Sequence, residues 1–247
     1  MWGRAIRYAE VTSTNDLARD QARRGAREGT AVVAGYQLAG RGRRGKAWTA
    51  PAGTSLLVTY ILRPPAHLTH SAWLALAAGA AMAQAVAEAT GLEPALKWPN
   101  DVLLGARKVG GVLVETVLCG DSYAALVGCG LNVGQAPGDF GEELAETATS
   151  LNTAAEREFA PDDLLPVLTQ ALRTLYQRLL RDGPGPVRDA WRSRDVTLGH
   201  AVRVDGPEGS WLGQAEDLDQ HGGLTIRLED GSKRQVTAGE VSLRLEE

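Results

Sequence analysis

The chain has 247 residues, 44% of them hydrophobic, and a formal net charge of −4 at neutral pH. That length and composition suit one large domain, or one plus a small appendage. The acidic balance argues against a generally basic nucleic-acid binder, while leaving room for a local basic patch.

The opening segment "MWGRAIRYAEVTST" has no apolar core of the kind a signal peptide needs. "VTSTNDLARDQARRG" begins with hydroxyl and amide residues suited to a helix N-cap and stops at Gly25. "TAVVAGYQ" and "TSLLVTYIL" read as strands, the second ended by Pro64 and Pro65. "THSAWLALAAGAAMAQAVAEATG" reads as a long helix ending at Gly91; its alanine content, with Gln84 and Glu88, suits a core helix and not a membrane span. "ALKWPNDVLL" is a strand broken at Pro99, and "VGGVLVETVL" with "YAALVGCGLNV" is a hairpin turning at "CGDS". Leucines 164, 165, 168, 172, 175 and 179 have helical spacing, and "PVRDAWRSR" is a shorter helix.

Near residue 196 the period changes to short alternating strands with Asp/Gly turns, which predicts a small five-stranded barrel. The domain expectation is therefore 1–195 for a mixed α/β unit and 196–247 for the barrel. Cys119 and Cys129 lie in apolar strand-like runs with no metal-site spacing, so free thiols in a reducing, cytoplasmic setting are expected.

"AGRGRRGKAW" (39–48) matches two phosphate-binding patterns as text, G-x-G-x-x-G and G-x-x-x-x-G-K. Both need the glycine loop to open a helix, and Pro51 and Gly53 forbid one here. The P-loop also needs Ser or Thr where Ala47 stands. What remains is a pliable cationic loop carrying Arg41, Arg43, Arg44 and Lys46, expected to be mobile when empty and ordered by an anionic ligand.

Four further segments carry a resemblance: "STN" (13–15), "GYQLAGRGRRGKAW" ending at Trp48, "KWPNDVLLGARKVGGVLVE" (97–115) and "GCGLNV" (128–133). In this order and spacing the sequence resembles biotin protein ligases over nearly its whole length. The family's repressors carry an N-terminal helix-turn-helix domain. With "STN" at residue 13, the resemblance is to the short class, and DNA binding is not expected.

The resemblance implies a class II aminoacyl-tRNA synthetase-like mixed sheet with helices on one side and a small C-terminal SH3-like barrel. It implies a two-step reaction. Biotin's carboxylate attacks the α-phosphate of ATP, giving biotinyl-5′-AMP and pyrophosphate; a lysine of a biotin carboxyl carrier protein domain then takes the biotinyl group and releases AMP. ATP and biotin are substrates, Mg2+ is required, no membrane is involved, and a homodimer formed by side-by-side sheets is one expectation.

By position, Lys108, Arg43 and Asp101 are the catalytic candidates. Ser13, Thr14, Asn15, Gln37, Gly40, Arg41, Lys108, Gly110, Gly111, Gly128 and Gly130 would line the biotin site. Arg41, Arg43, Arg44, Lys46, Trp48, Asn100, Lys108 and Asn132 would meet ATP. The chemistry fits: two anions must be brought together, so placed cations are needed, and biotin's ureido ring needs neutral donors and acceptors together. The family pattern has arginine where Lys46 stands, and lysine lacks the forked donor geometry. Cys129 replaces a branched aliphatic residue, with no reactive role expected. Trp98 is expected to pack beneath the site. Asp101 is the candidate for magnesium, for holding Lys97, or for the base of the second step. His67, His70, His200 and His221 are scattered and carry no assigned role.

Competing readings are a lipoate-type acyl-adenylating ligase, against which the "GRGRRG" loop and terminal barrel argue, and a nucleic-acid module built on the basic loop, against which the acidic charge argues.

Overall fold

The computed structural model describes residues 2–69, 71–206, 209–237 and 239–243. His70 and the last four residues of the expected barrel domain lie outside them.

The first sheet has seven strands in the order β1-β2-β3-β7-β6-β5-β4. In chain order its strands are β1 (Ala5–Val11), β2 (Thr30–Gln37), β3 (Ser55–Leu62), β4 (Ala95–Lys97), β5 (Asp101–Leu104), β6 (Arg107–Cys119) and β7 (Ser122–Asn132). β1 runs parallel to β2, and every other pairing is antiparallel. β3 is buried along all eight residues, which explains its unbroken apolar run. β6 and β7 form the expected hairpin, closing at Cys119 and Ser122 around Gly120 at φ 63°.

Helices cover both faces. α1 (Thr14–Arg23) sets Ala18 and Ala22 on Val32, Ile61 and Leu126. α2 (Ala66–Thr69) is a single turn. On the other face lies α3 (Trp73–Thr90), whose small residues let it sit close over the sheet and whose Gly91 cap has φ 77°. α4 (Gly141–Leu144) and α5 (Leu151–Ala155) are short. α6 (Pro161–Asp182) turns its leucine face onto α3 and β3, and α7 (Gly185–Arg192) buries Val187 and Trp191. The expectation of helices on one side is therefore corrected. Ala18 and Ala22 are too few and too small to advertise a core face, yet they are what lets α1 approach.

The C-terminal strands are β8 (Ala201–Gly206), β9 (Gly209–Leu218), β10 (Leu224–Leu228), β11 (Lys233–Val236) and β12 (Glu240–Leu243). They form a five-stranded antiparallel sheet, β11-β10-β9-β8-β12. Among the described residues no pairing joins β11 to β12, so the sheet is open there.

The two sheets share one apolar core. Trp98 and Trp73 are fully buried at the junction; their indole N–H groups donate to Gly222 O at 3.0 Å and Gln220 O at 2.8 Å. The 219–223 turn thus seats on the start of α3 and on the "KWPND" bend.

Candidate active site

The bend between β4 and β5 holds Lys97 at its entry and Asp101 at its exit, and β6 then brings back Lys108. Asp101 Oδ1 lies 2.5 Å from Lys108 Nζ, and its Oδ2 lies 3.6 Å from Lys97 Nζ. One carboxylate therefore holds two ammonium groups. Lys108 remains over a third exposed, so its ammonium is fixed in place yet open to a ligand. Its backbone is clamped as well: Lys108 N–H donates to Thr147 O, and Thr149 N–H donates to Lys108 O.

Beside Lys108 the sheet is bare. Gly111 pairs with Gly130 across the β6–β7 ladder, and the Trp48 ring lies over them; a Cβ on Gly130 would come within 2.8 Å of that ring. Lys108 Nζ is 5.9 Å from the Trp48 ring centre. Gly128 faces Asn15, whose Oδ1 would be 2.5 Å from an added Cβ. Gly110 is on the opposite face against Met82 Sδ, so the structure separates it from the other three. The bareness of these strands serves indole, amide and thioether approach as much as any ligand.

Ser13 caps α1 through its backbone, and its side chain takes no part in the cap. Gln37 Oε1 accepts from Thr14 N–H at 2.8 Å and lies 2.9 Å from Thr14 Oγ1. Thr59 Oγ1 lies 2.8 Å from Thr14 Oγ1 and 2.6 Å from Asn15 Oδ1, and Asn15 Nδ2 donates to Glu115 Oε2 at 2.6 Å. Ser13, Thr14, Asn15 and Thr59 are all buried. An open cavity of about 450 Å³ lies outside Gln37, lined by Tyr36, Leu38, Thr49, Pro51 and Asp139.

The cationic loop is a small hairpin. Arg41 bridges Ala47, Gly42 N–H donates to Lys46 O, and Trp48 N–H donates to Gly40 O. Its tip turns through Arg44 at φ 55° and Gly45 at φ 77°. It opens no long helix, so neither phosphate-loop pattern is realised; the one 3-10 turn spans Arg43–Gly45.

The four cations have different fates. Arg41 forms a forked pair with Asp16, at 2.6 and 3.0 Å, and lies 3.6 Å from Glu115. Its hydrogen bonds hold the Asp16 carboxyl below the usual carboxylate range. Arg43 reaches Asn100 Oδ1 and Gly239 O, both at 3.2 Å. Arg44 donates to Asp205 O at 2.7 Å. Lys46 is largely exposed.

Asn100 Nδ2 donates to Val112 O. Asn132 is buried, its amide shared between Thr149 O and Gln135 Nε2, so it braces the 147–149 segment beneath Lys108. Burial pushes the Cys129 thiol up to about 12, which keeps it protonated. Trp98 packs under the bend as expected.

A directly held magnesium does not fit these residues. Both Asp101 oxygens face lysines, and among the described residues no cluster of three His, Cys, Asp or Glu side chains is placed to hold a metal. Sequence reasoning also missed Asp16, Thr59, Glu115 and the 147–149 segment. Glu115 left a signal, as the charged end of the 97–115 segment that carries the family resemblance.

A fixed ammonium, a cationic hairpin and a glycine-lined strand surface covered by Trp48 thus lie together, an arrangement able to stabilise negative charge. Residues 8–132 match the biotin/lipoate A/B protein ligase family, and residues 197–244 match the biotin protein ligase C-terminal domain. The chain is 33% identical to the bifunctional ligase/repressor BirA of Bacillus subtilis over 238 residues, 96% of this chain and 73% of that one. It is 34% identical to the biotin–[acetyl-CoA-carboxylase] ligase of Mycobacterium tuberculosis over 248 residues, 97% of this chain and 89% of that one. Among solved structures, the biotin protein ligase from Aquifex aeolicus in complex with biotin and ATP superposes with a TM-score of 0.83 at 30% identity, covering 98% of this chain and 99% of that one. The chain belongs to the biotin/lipoate A/B protein ligase family.

Proposed function

We infer that the chain joins biotin to ATP, forming biotinyl-5′-AMP and pyrophosphate, and passes the biotinyl group to a lysine of a biotin carboxyl carrier domain of a biotin-dependent carboxylase. The observation that carries this reading is the Lys108–Asp101 pair beneath the Arg43 hairpin, in a chain with a full-length structural neighbour bound to biotin and ATP.

In the first step the biotin carboxylate and the α-phosphate repel each other. Lys108, held by Asp101, supplies the positive charge between them, and Arg43 lies above to retain the product. Thr14, Asn15 and Gln37 form the neutral polar end for the ureido ring, and Trp48 covers the apolar part. In the second step the carrier amine attacks the acyl carbon and AMP leaves. The pairing of Asp101 with two lysines favours a positioning role over metal binding or base catalysis; Mg2+ carried by ATP would supply charge neutralisation at the phosphates. We assign Arg43 and Lys46 to phosphate; Arg41 is committed to Asp16 and Glu115, and Arg44 ties the hairpin to the C-terminal sheet. We retain the synthetase-like assignment for the first sheet and the SH3-like barrel for the second, supported by the family match over 197–244. Rearrangement of the 40–47 hairpin around the adenylate, and homodimerisation along a sheet edge, belong to the same proposal. No described helix is long and apolar enough to cross a membrane.

The test is ATP–pyrophosphate exchange driven by biotin, with lipoate alongside, followed by labelled transfer to a purified carrier domain. Exchange with lipoate alone would overturn the reading in favour of lipoate activation. With Arg43→Ala, free biotinyl-AMP should appear in solution at least about tenfold faster than with the parent, the loss of one charge-assisted contact to the intermediate.

A further inference from the structure

We propose that Lys97 is a phosphate-binding residue: it seats the leaving pyrophosphate while Lys108 meets the α-phosphate. The inference rests on the reading of biotin and ATP as substrates, and it assigns the two lysines of the Asp101 cluster to different phosphates.

Strand register sets the arrangement. Lys97 stands opposite Asp101 on the β4–β5 ladder, Asp101 opposite Gly111 on β5–β6, and Gly111 opposite Gly130 on β6–β7. Residues directly opposite one another project from the same face of a sheet. Lys108 joins that face, because a Cβ built on Gly111 would lie 3.3 Å from Lys108 Nζ and 3.6 Å from the Trp48 ring. One side of the sheet therefore carries, in strand order, the glycine floor under Trp48, the Lys108–Asp101 contact, and Lys97 on the last strand.

The end proposed for the ureido ring lies the other way across the sheet, where Thr14 meets Gln37 of β2 and Thr59 of β3. A biotin with its ring there and its carboxylate at Lys108 approaches the α-phosphorus from the β7 side. The attacking and leaving oxygens of such a displacement lie roughly in line. Pyrophosphate therefore departs toward β5 and β4, where Lys97 stands.

Charge and reach agree with this direction. Among the described residues Asp101 is the one carboxylate paired with either lysine, 3.6 Å from Lys97 Nζ and 2.5 Å from Lys108 Nζ. Two ammonium groups on one carboxylate leave a positive charge uncompensated. At the other end of the site Asp16 and Glu115 balance Arg19 and Arg41. The 3.6 Å contact exceeds hydrogen-bonding distance, so the Lys97 ammonium, its side chain a quarter exposed, keeps its N–H donors for a ligand. Both nitrogens stand on the same carboxylate, so they are no farther apart than the two contacts and its width allow. Linked phosphates span that gap.

The experiment separates the two half-reactions. In biotin-dependent ATP–pyrophosphate exchange, Lys97→Ala should raise the KM for pyrophosphate at least about tenfold, the loss of one charge-assisted hydrogen bond. Transfer of the biotinyl group from supplied biotinyl-5′-AMP to a purified carrier domain involves no pyrophosphate, and its rate should stay within about threefold of the parent. An unchanged KM for pyrophosphate in Lys97→Ala overturns the proposal. So does an equal loss in both half-reactions, the mark of a lysine that only holds Asp101 and Lys108 in place. Melting curves report on folding; should Lys97→Ala not fold, Lys97→Met, which keeps an apolar stem without the charge, carries the same comparison. A parent chain with no biotin-driven exchange would count against the substrate reading itself, whereas a negative result with the variants alone bears on Lys97.

Discussion

Lys108→Ala should lower the rate of pyrophosphate release from ATP in the presence of biotin by about 10²–10³-fold, the loss met when one fixed charge-stabilising group is removed from a transition state. The site explains the size. Lys108 is placed by a 2.5 Å contact to Asp101 and by two backbone hydrogen bonds to the 147–149 segment, so its charge is in position before substrates arrive. In the proposed first step it meets two reactants that repel each other, and Lys97 stands farther from Asp101, at 3.6 Å. Stopped reactions resolving pyrophosphate from labelled ATP would measure the loss. Lys108→Arg should recover little, since a planar guanidinium cannot occupy the point position of an ammonium beside Asp101. A near-parent rate in Lys108→Ala would remove the basis of the proposed first step. Binding of biotin alone should change far less, because the end proposed for the ureido ring is Thr14, Asn15 and Gln37, at the start of α1 and the end of β2.

Trp98→Ala should destabilise the chain by about 3–5 kcal/mol, the range for deleting a large aromatic side chain from a core. Trp98 is fully buried, and its indole N–H donates to Gly222 O. The substitution opens a cavity and leaves that carbonyl without its partner. Chemical denaturation should show a lower midpoint, and the thermal midpoint should fall on the order of 10 °C for a chain of this size. Activity at low temperature should fall too, because Trp98 directly precedes the Pro99–Asn100–Asp101 bend. Trp98→Phe, which fills most of the cavity but lacks the donor, should recover the larger part of the stability.

The parts of the fold that were legible in sequence had strong local causes. The β6–β7 hairpin was marked by two apolar runs and a Gly-Asp turn, α3 by its alanine run and Gly91, and α6 by leucines at helical spacing. β1 was not legible. "AIRYAEV" places alternating half-buried and exposed residues on an edge strand, and its partner is a parallel strand nearly twenty residues away. For the candidate site, position in a pattern nominated Lys108, Asp101, Thr14, Asn15 and Gln37. It could not say that Asp101 would hold both lysines, that Arg41 would be taken by Asp16, or that Gly110 faces Met82. Those outcomes depend on strand register and on partners distant in sequence. The same holds for Glu115, whose partners come from α1 and from the hairpin.

Two contacts from the cationic hairpin to the second sheet end on main-chain oxygens: Arg43 on Gly239 and Arg44 on Asp205. Replacing side chains there one at a time leaves both acceptors where they are. For these two contacts the path of the strands, more than the identity of the side chains at 205 and 239, sets where the acceptors stand. A shift of β8, or of Gly239, by one residue is what would reach the cationic hairpin.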